Sequence, residues 1–485
     1  MSRIQSLLTH HLTIALLSIT FLWLLFFWRL WTPTHADRVL FARGDFSLHY
    51  YSFSSYQVER LSQGQIPLWN PYNYAGDPFA ANVQWVTWYP PRWMAAFIAG
   101  LSGGWRIEAL QFEVAAHYWL INWLTYFFLC ALVKRRSAAL AGSLLFTYGG
   151  YLTGYPMLQV SVIESVAWLP LLMLGVHRSI SPVPLSTPST STPAVPASSL
   201  FLRKRSDGEQ GVGGIGVAVI AIGLSFLAGH PQTTLQMIYC ALAYLVVVGR
   251  LNGVSWWGIG WRAVLLVIGG GALAAVQLLP ALEFIRLSSR AALNYVDKSN
   301  GFALSDVLQM AVPTLFGTWS PLYLGVAGLL LSIGAILRAF RSPRAFRLYA
   351  FWMGVVVVCL LIAFGRSTIV YDLFYVFVPG VNTFRQQERI AALAVFALTV
   401  LATYELDTLL DARHTPRHMS RLVRGYTLFT VGAFVILALL GLSEGEFIAT
   451  DVTVNALAFS ALMSLLFAAW YFSLRVQNPE LSANS

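Results

Sequence analysis

The stretch VPGVNTFRQQERIAALAVFALTV, residues 378–400, passes from a turn-forming, basic approach into an apolar run that continues to about residue 408. About twenty apolar residues rise roughly 30 Å as a helix, which matches the hydrocarbon thickness of a bilayer. Runs of the same kind recur at about 12–31, 108–133, 137–153, 160–177, 211–229, 232–249, 262–280, 322–338, 348–364, 389–408, 426–442 and 454–473. The expected fold is therefore all-α, a polytopic transmembrane helical bundle of about twelve spans forming one integral membrane domain. A membrane barrel would show short alternating segments instead.

Composition agrees with that reading. Of the 485 residues 57% are hydrophobic and 11% charged, against about 25% charged in soluble domains. The net charge of +10 does not argue for nucleic acid, because the basic residues sit in short loops between spans, where they set orientation. Lys134-Arg135-Arg136, Arg203-Lys204-Arg205 and the loop from Arg413 to Arg424 fall on the side of the N-terminus, while acidic residues collect on the opposite side. This distribution predicts a multi-pass protein of the cell membrane with both termini cytoplasmic. Cys130, Cys240 and Cys359 all lie in apolar runs, far apart and without ligand spacing, and read as packing residues. The first run ends in Arg and Trp without a small-residue cleavage site and is expected to be retained.

Two connections exceed ordinary helix hairpins. Residues 179–210 include SPVPLSTPSTSTPAVPASSL, whose prolines and hydroxyl residues cannot build a core, and read as a cytoplasmic linker. Residues 32–107 form an extracytoplasmic loop rich in Trp, Tyr, Asn and Pro, a composition suited to ordered structure at the headgroup level.

The chemistry-bearing residues gather in that loop and at span ends on the same side. In RGDFSLHYYSFSSY, Asp45 follows a turn-permissive glycine close to the end of the first span. Its carboxylate is placed to act as a general base on an attacking hydroxyl, to cap the following helix, or simply to be solvated in the loop. QGQIPLWNPYNYAGDPFAANVQWVTWYPP sets Trp69, Asn70, Asp77, Asn82, Gln84 and Tyr89 among turn residues. Aromatic faces beside amides hold sugar rings, although headgroup anchoring accounts for the same content. Asp45 and Asp77, 32 residues apart, together offer a carboxylate pair or oxygen ligands for a divalent cation. In AGHPQTT, His230, Gln232 and Thr233 stand where two spans meet, either contacting a phosphate or hydroxyl or capping the end of the preceding helix. Arg385, Glu388 and Arg389 open the 389–408 span. The arginines suit a phosphate, or else pair with carboxylates or lipid phosphates. Ser289 and Arg290 in RLSSRAAL carry the same two readings.

The ordered set GDFSLHYYSF, GQIPLWNPYNYAGDPFAANVQ followed by YPP, KRR before SAALAGSLLFTYGGYL, AWLPLL, AGHPQTT, LSSRAAL and PGVNTFRQQER covers residues from about 43 to 408. This set resembles bacterial YfhO-type membrane proteins of the GT-C superfamily of polyprenyl-phosphate-dependent glycosyltransferases. The resemblance implies a GT-C bundle whose first outer loop supplies a catalytic aspartate, here Asp45. It also implies transfer of a sugar, with inversion, from a polyprenyl-phosphate donor to a cell-envelope glycan or lipid. Two positions depart from the family pattern: Gln387 stands where proline is common, and Asp77 where glycine is expected.

Two other functions compete. A flippase or transporter of lipid-linked sugars would also need arginines and an aromatic groove, but repeated halves with broken helices are not evident. A non-enzymatic scaffold for envelope assembly leaves the polar clustering of the first loop without a purpose.

Overall fold

The computed structural model describes residues 2–410 except 40, 42–43, 74, 155–156, 182–206, 289–292, 312 and 314–318, and beyond 410 only Gly425, Leu428 and Gly432. The expected spans at 426–442 and 454–473, most of the 179–210 linker, and Ser289 and Arg290 lie outside the described residues. Among those described, the regular elements are all helical, and the one isolated β-bridge joins Asn70 to Asp77. Among the described residues six helices are long and apolar enough to cross a membrane: Ile107–Leu132, Val160–Ile180, Pro231–Leu251, Trp256–Leu273, Ala345–Ala363 and Gln387–Leu409. Leu12–Phe26 and Gly213–Leu227 are shorter apolar helices.

Other expected spans are interrupted for local reasons. The 137–153 run divides into Arg136–Thr147 and Gly150–Thr153. Gly149 and Gly150 end the first helix, and the Gly150 N–H turns to the Tyr323 carbonyl at 2.7 Å. The 322–338 run becomes Gly325–Arg341, whose first residue is left-handed. The 262–280 run breaks at Ala274 and resumes as Ala275–Arg286, a helix that tolerates Pro280 inside it. The described residues of 32–107 include two longer helices. Asp45–Tyr51 runs on into the helix Ser52–Ser62, and Pro90–Leu101 forms a second helix whose prolines occupy the first turn, where a missing N–H costs nothing.

The helices cluster into two compact units. The first comprises residues 1–131, 156–299 and 374–386. In it Trp23 donates to the Ala115 carbonyl at 2.6 Å and Trp119 to the Thr20 hydroxyl at 3.2 Å, so Ser2–Phe26 and Ile107–Leu132 lie antiparallel. Leu169–Ile180 and Asp207–Leu227 approach backbone to backbone. A methyl on Gly175 would strike the Ala218 nitrogen, and one on Gly214 the Ser179 nitrogen. The pairs Gly175/Ser179 and Gly214/Ala218 are four apart on their helices, the small-residue spacing that permits such contact in lipid. Ser165 and Ser225 then exchange hydrogen bonds with each other's carbonyls at 3.0 and 3.1 Å.

The second unit comprises residues 132–155, 300–373 and 387–485. Its centre is the helix Ala391–Leu409, buried on nearly every face, which explains an apolar run without amphipathic period. Glu405, buried on that helix, receives two parallel bonds from Arg338 at 2.7 and 2.8 Å. Asp407 accepts from the Arg135 N–H at 2.8 Å.

Candidate functional site

Gly44, at φ 122°, adopts a backbone that side-chain-bearing residues avoid, and the chain turns there into the Asp45–Tyr51 helix. Asp45 is the first residue of that helix, not its cap: no side chain caps the N-terminus. Its carboxylate is exposed and accepts from the Gln159 side-chain amide. Gln159 is buried at the start of Val160–Val166, and its other amide atom accepts from the Tyr50 hydroxyl at 3.2 Å. Tyr50 also bonds Ser161 at 2.9 Å. One glutamine therefore fixes both the exposed aspartate and a buried tyrosine from the same helix, while Asp45 keeps an accessible face.

The aromatic segment folds largely upon itself. Trp85 stacks on Phe53 with centroids 3.5 Å apart and donates to the Asp77 carboxylate at 3.1 Å. Asp77 is buried and its backbone pairs with Asn70. The Asn70 and Asn82 amide oxygens accept from the Tyr72 and Gln84 N–H groups two residues on, at 3.0 and 3.2 Å, the Asx turns expected of asparagine in loops. Trp69 is exposed, with its carbonyl held by Tyr56 at 2.6 Å. Asp77 is thus committed to Trp85. Among the described residues no group of three or more His, Cys, Asp or Glu side chains gathers to hold a metal ion.

Val86 sits at φ 48°, a left-handed conformation that costs a β-branched residue about 1–3 kcal/mol. The buried Gln57 amide reaches the Val86 and Thr87 carbonyls, each at 3.4 Å, and Gly229 leaves room beneath the turn that a side chain would fill. The left-handed Gly229 leads into His230, which caps the following helix Pro231–Leu251 and not the preceding one. The His230 Nδ1 accepts the Thr233 N–H at 3.3 Å. Gln232 donates to the Gln386 carbonyl at 3.3 Å, which brings AGHPQTT beside the RQQ segment. Gln386 is itself left-handed at φ 61°, and Arg385 next to it is exposed and without an ion-pair partner among the described residues. Arg389 belongs to the second unit, where its carbonyl accepts from Tyr151 at 2.9 Å.

A cluster that the sequence reading passed over lies deeper in the first unit. Arg92 is 2% exposed, and its Nε donates to Glu113 at 2.6 Å while Nη2 reaches Glu164 at 3.5 Å. Both carboxyls are buried, and no N–H or hydroxyl donor among the described residues meets Oε1 of Glu113 or Oε2 of Glu164. The Tyr89 hydroxyl bonds the His117 Nε2 at 2.8 Å and accepts from Trp168 at 3.0 Å. Tyr89 is therefore a buried link and not a sugar platform. Burial, with Glu164 and Glu113 beside it, holds the Tyr89 phenol well above its usual range, so it stays neutral. Burial draws the Arg92 guanidinium down, but the two carboxyls outweigh that and raise it. A signal was present in the sequence: Glu113, His117 and Glu164 stand inside apolar runs, where ionisable residues carry a functional expectation.

No family model, curated protein or solved structure matches this chain.

Proposed function

We propose that this chain is a membrane glycosyltransferase of GT-C type. It moves a sugar from a polyprenyl-phosphate donor to an envelope glycan or lipid, with Asp45 as the general base. The observation that carries the reading is the setting of Asp45: an exposed carboxylate at the start of its helix, held by a buried glutamine. It stands inside the segment that resembles the catalytic loop of YfhO-type proteins. A general base needs both an open face toward its substrate and a fixed position. Purified protein incubated with labelled polyprenyl-phosphate sugars and envelope extract should yield labelled product. Lipid translocation without product would favour the flippase.

The mechanism places Asp45 and Arg385 on the extracytoplasmic side, with both termini inside. Asn73→Cys and Asn382→Cys should then react with an impermeant thiol reagent added to intact cells, and Ser191→Cys should not. Outside labelling of Ser191→Cys reverses the orientation and removes the site.

Arg385 is assigned to the donor phosphate. As the polyprenyl phosphate departs it gains charge, and a cation there stabilises the transition state more than the bound donor. Arg385→Ala should lower turnover by about 30-fold or more, and Arg385→Lys, which keeps charge but loses two-point geometry, should recover part of it. Steady-state kinetics on quantified, monodisperse protein, with His230→Ala and Arg389→Ala alongside, measures this. Wild-type kcat and donor KM in Arg385→Ala would move the phosphate site elsewhere.

A further inference from the structure

A cavity of about 510 Å³ opens between the helix Pro90–Leu101 and the start of Ile107–Leu132 in the first unit. Its walls carry Met94, Ile98 and Phe112, and its lining includes three charges, Arg38, Arg106 and Glu108. A volume of this order with apolar walls and a few polar groups is typical of a small-molecule site. None of the three charged side chains has an ion-pair partner among the described residues. Charges of both signs thus line one cavity without neutralising each other.

Position identifies what reaches it. Ser2–Phe26 and Ile107–Leu132 are antiparallel, so Arg38, which follows the first, and Arg106, which precedes the second, emerge at the same membrane boundary. The Gln111 amide reaches the Val39 carbonyl at 3.3 Å and holds the Arg38 segment over that helix start. Pro90–Leu101 also exposes Trp93, Phe97 and Leu101, an apolar face of the kind by which a helix lies in the interfacial layer. The cavity therefore opens at headgroup depth beside the bilayer. Glu113, which also lines it, is answered by Arg92 and adds no free charge.

We infer that this cavity binds a phosphoethanolamine lipid. The phosphate is met by Arg38 and Arg106, the primary ammonium by Glu108, and one acyl chain lies along Met94, Ile98 and Phe112. An anionic lipid would leave Glu108 unanswered and beside its phosphate. A choline headgroup would satisfy the charges but could not donate a hydrogen bond to the carboxylate. The inference does not depend on glycosyl transfer.

Native mass spectrometry of the full, delipidated chain with dioleoyl phosphatidylethanolamine, phosphatidylcholine, phosphatidylglycerol and farnesyl phosphate tests it. The ethanolamine lipid should bind about 5-fold more tightly than the choline lipid, the range of a partly exposed charged hydrogen bond. In Glu108→Gln that ratio should fall to about 1 while choline-lipid binding persists, which also reports an intact fold. Arg106→Ala should weaken both lipids by about the same factor. An ethanolamine preference unchanged in Glu108→Gln overturns the assignment. So does tighter binding of phosphatidylglycerol by the wild-type chain, farnesyl phosphate binding that Arg106→Ala weakens, or no retained lipid at all.

Discussion

Arg92→Ala should destabilise the first unit by about 3–5 kcal/mol, the cost of leaving buried carboxylates without their cation. Arg92, Glu113 and Glu164 are all at most 3% exposed, so water cannot replace the guanidinium. The Arg92 guanidinium also lies 5.7 Å from the Trp105 ring, whose indole donates to the buried Ser54 hydroxyl, so truncation removes packing as well. Detergent-solubilised protein should show a lower Tm and reduced monodisperse yield. Arg92→Met combined with Glu113→Gln and Glu164→Gln removes all the charge and keeps the volume, and should recover most of the loss, because a buried ion cluster contributes little beyond an apolar replacement. If the triple variant folds but loses whatever activity the parent shows, the cluster serves function. If Arg92→Ala melts like the parent, the cluster contributes nothing to stability.

The contrast between that cluster and the apolar spans shows what a sequence displays. Helices such as Gln387–Leu409 are legible because burial in lipid or among other helices requires only length and apolarity, which are local properties. Breaks are less so. The ending of Arg136–Thr147 depends on Gly150 meeting the carbonyl of Tyr323, a contact across more than a hundred residues. Pairing is the least legible of all. Glu113 and Glu164 are visible as charges within apolar runs, but their convergence on Arg92 belongs to tertiary packing and leaves no local pattern. For the same reason the loop's polar residues divided unexpectedly. Asn70, Asn82, Asp77 and Tyr89 bond within the fold, the two asparagines in turns their type favours, whereas Asp45 retains an exposed face. Gln159, which positions it, lies 114 residues away.

Asp45→Asn should lower sugar transfer by about 10² to 10⁴, the usual contribution of a general base, while leaving the fold intact. The substitution is close to neutral for structure. An asparagine oxygen still accepts the Gln159 amide, no helix cap is lost, and the side chain is exposed. What disappears is the capacity to take a proton. Transfer needs that capacity, because a neutral hydroxyl attacks an anomeric carbon poorly unless its proton leaves as the bond forms. Gln159→Leu separates positioning from chemistry. It keeps the carboxylate but removes the amide that holds Asp45, while Tyr50 keeps its bond to Ser161, and should reduce kcat by less than Asp45→Asn does, with donor KM little changed. Asp45→Glu keeps the acid on a longer arm and should fall between the two. The measurement is initial rate against donor concentration for the parent and the three variants, normalised to folded protein by Tm and gel filtration. A well-folded Asp45→Asn protein turning over near the parental rate would exclude Asp45 as the base and leave the Asp45–Gln159–Tyr50 link as a clasp between the loop and the Val160–Val166 helix.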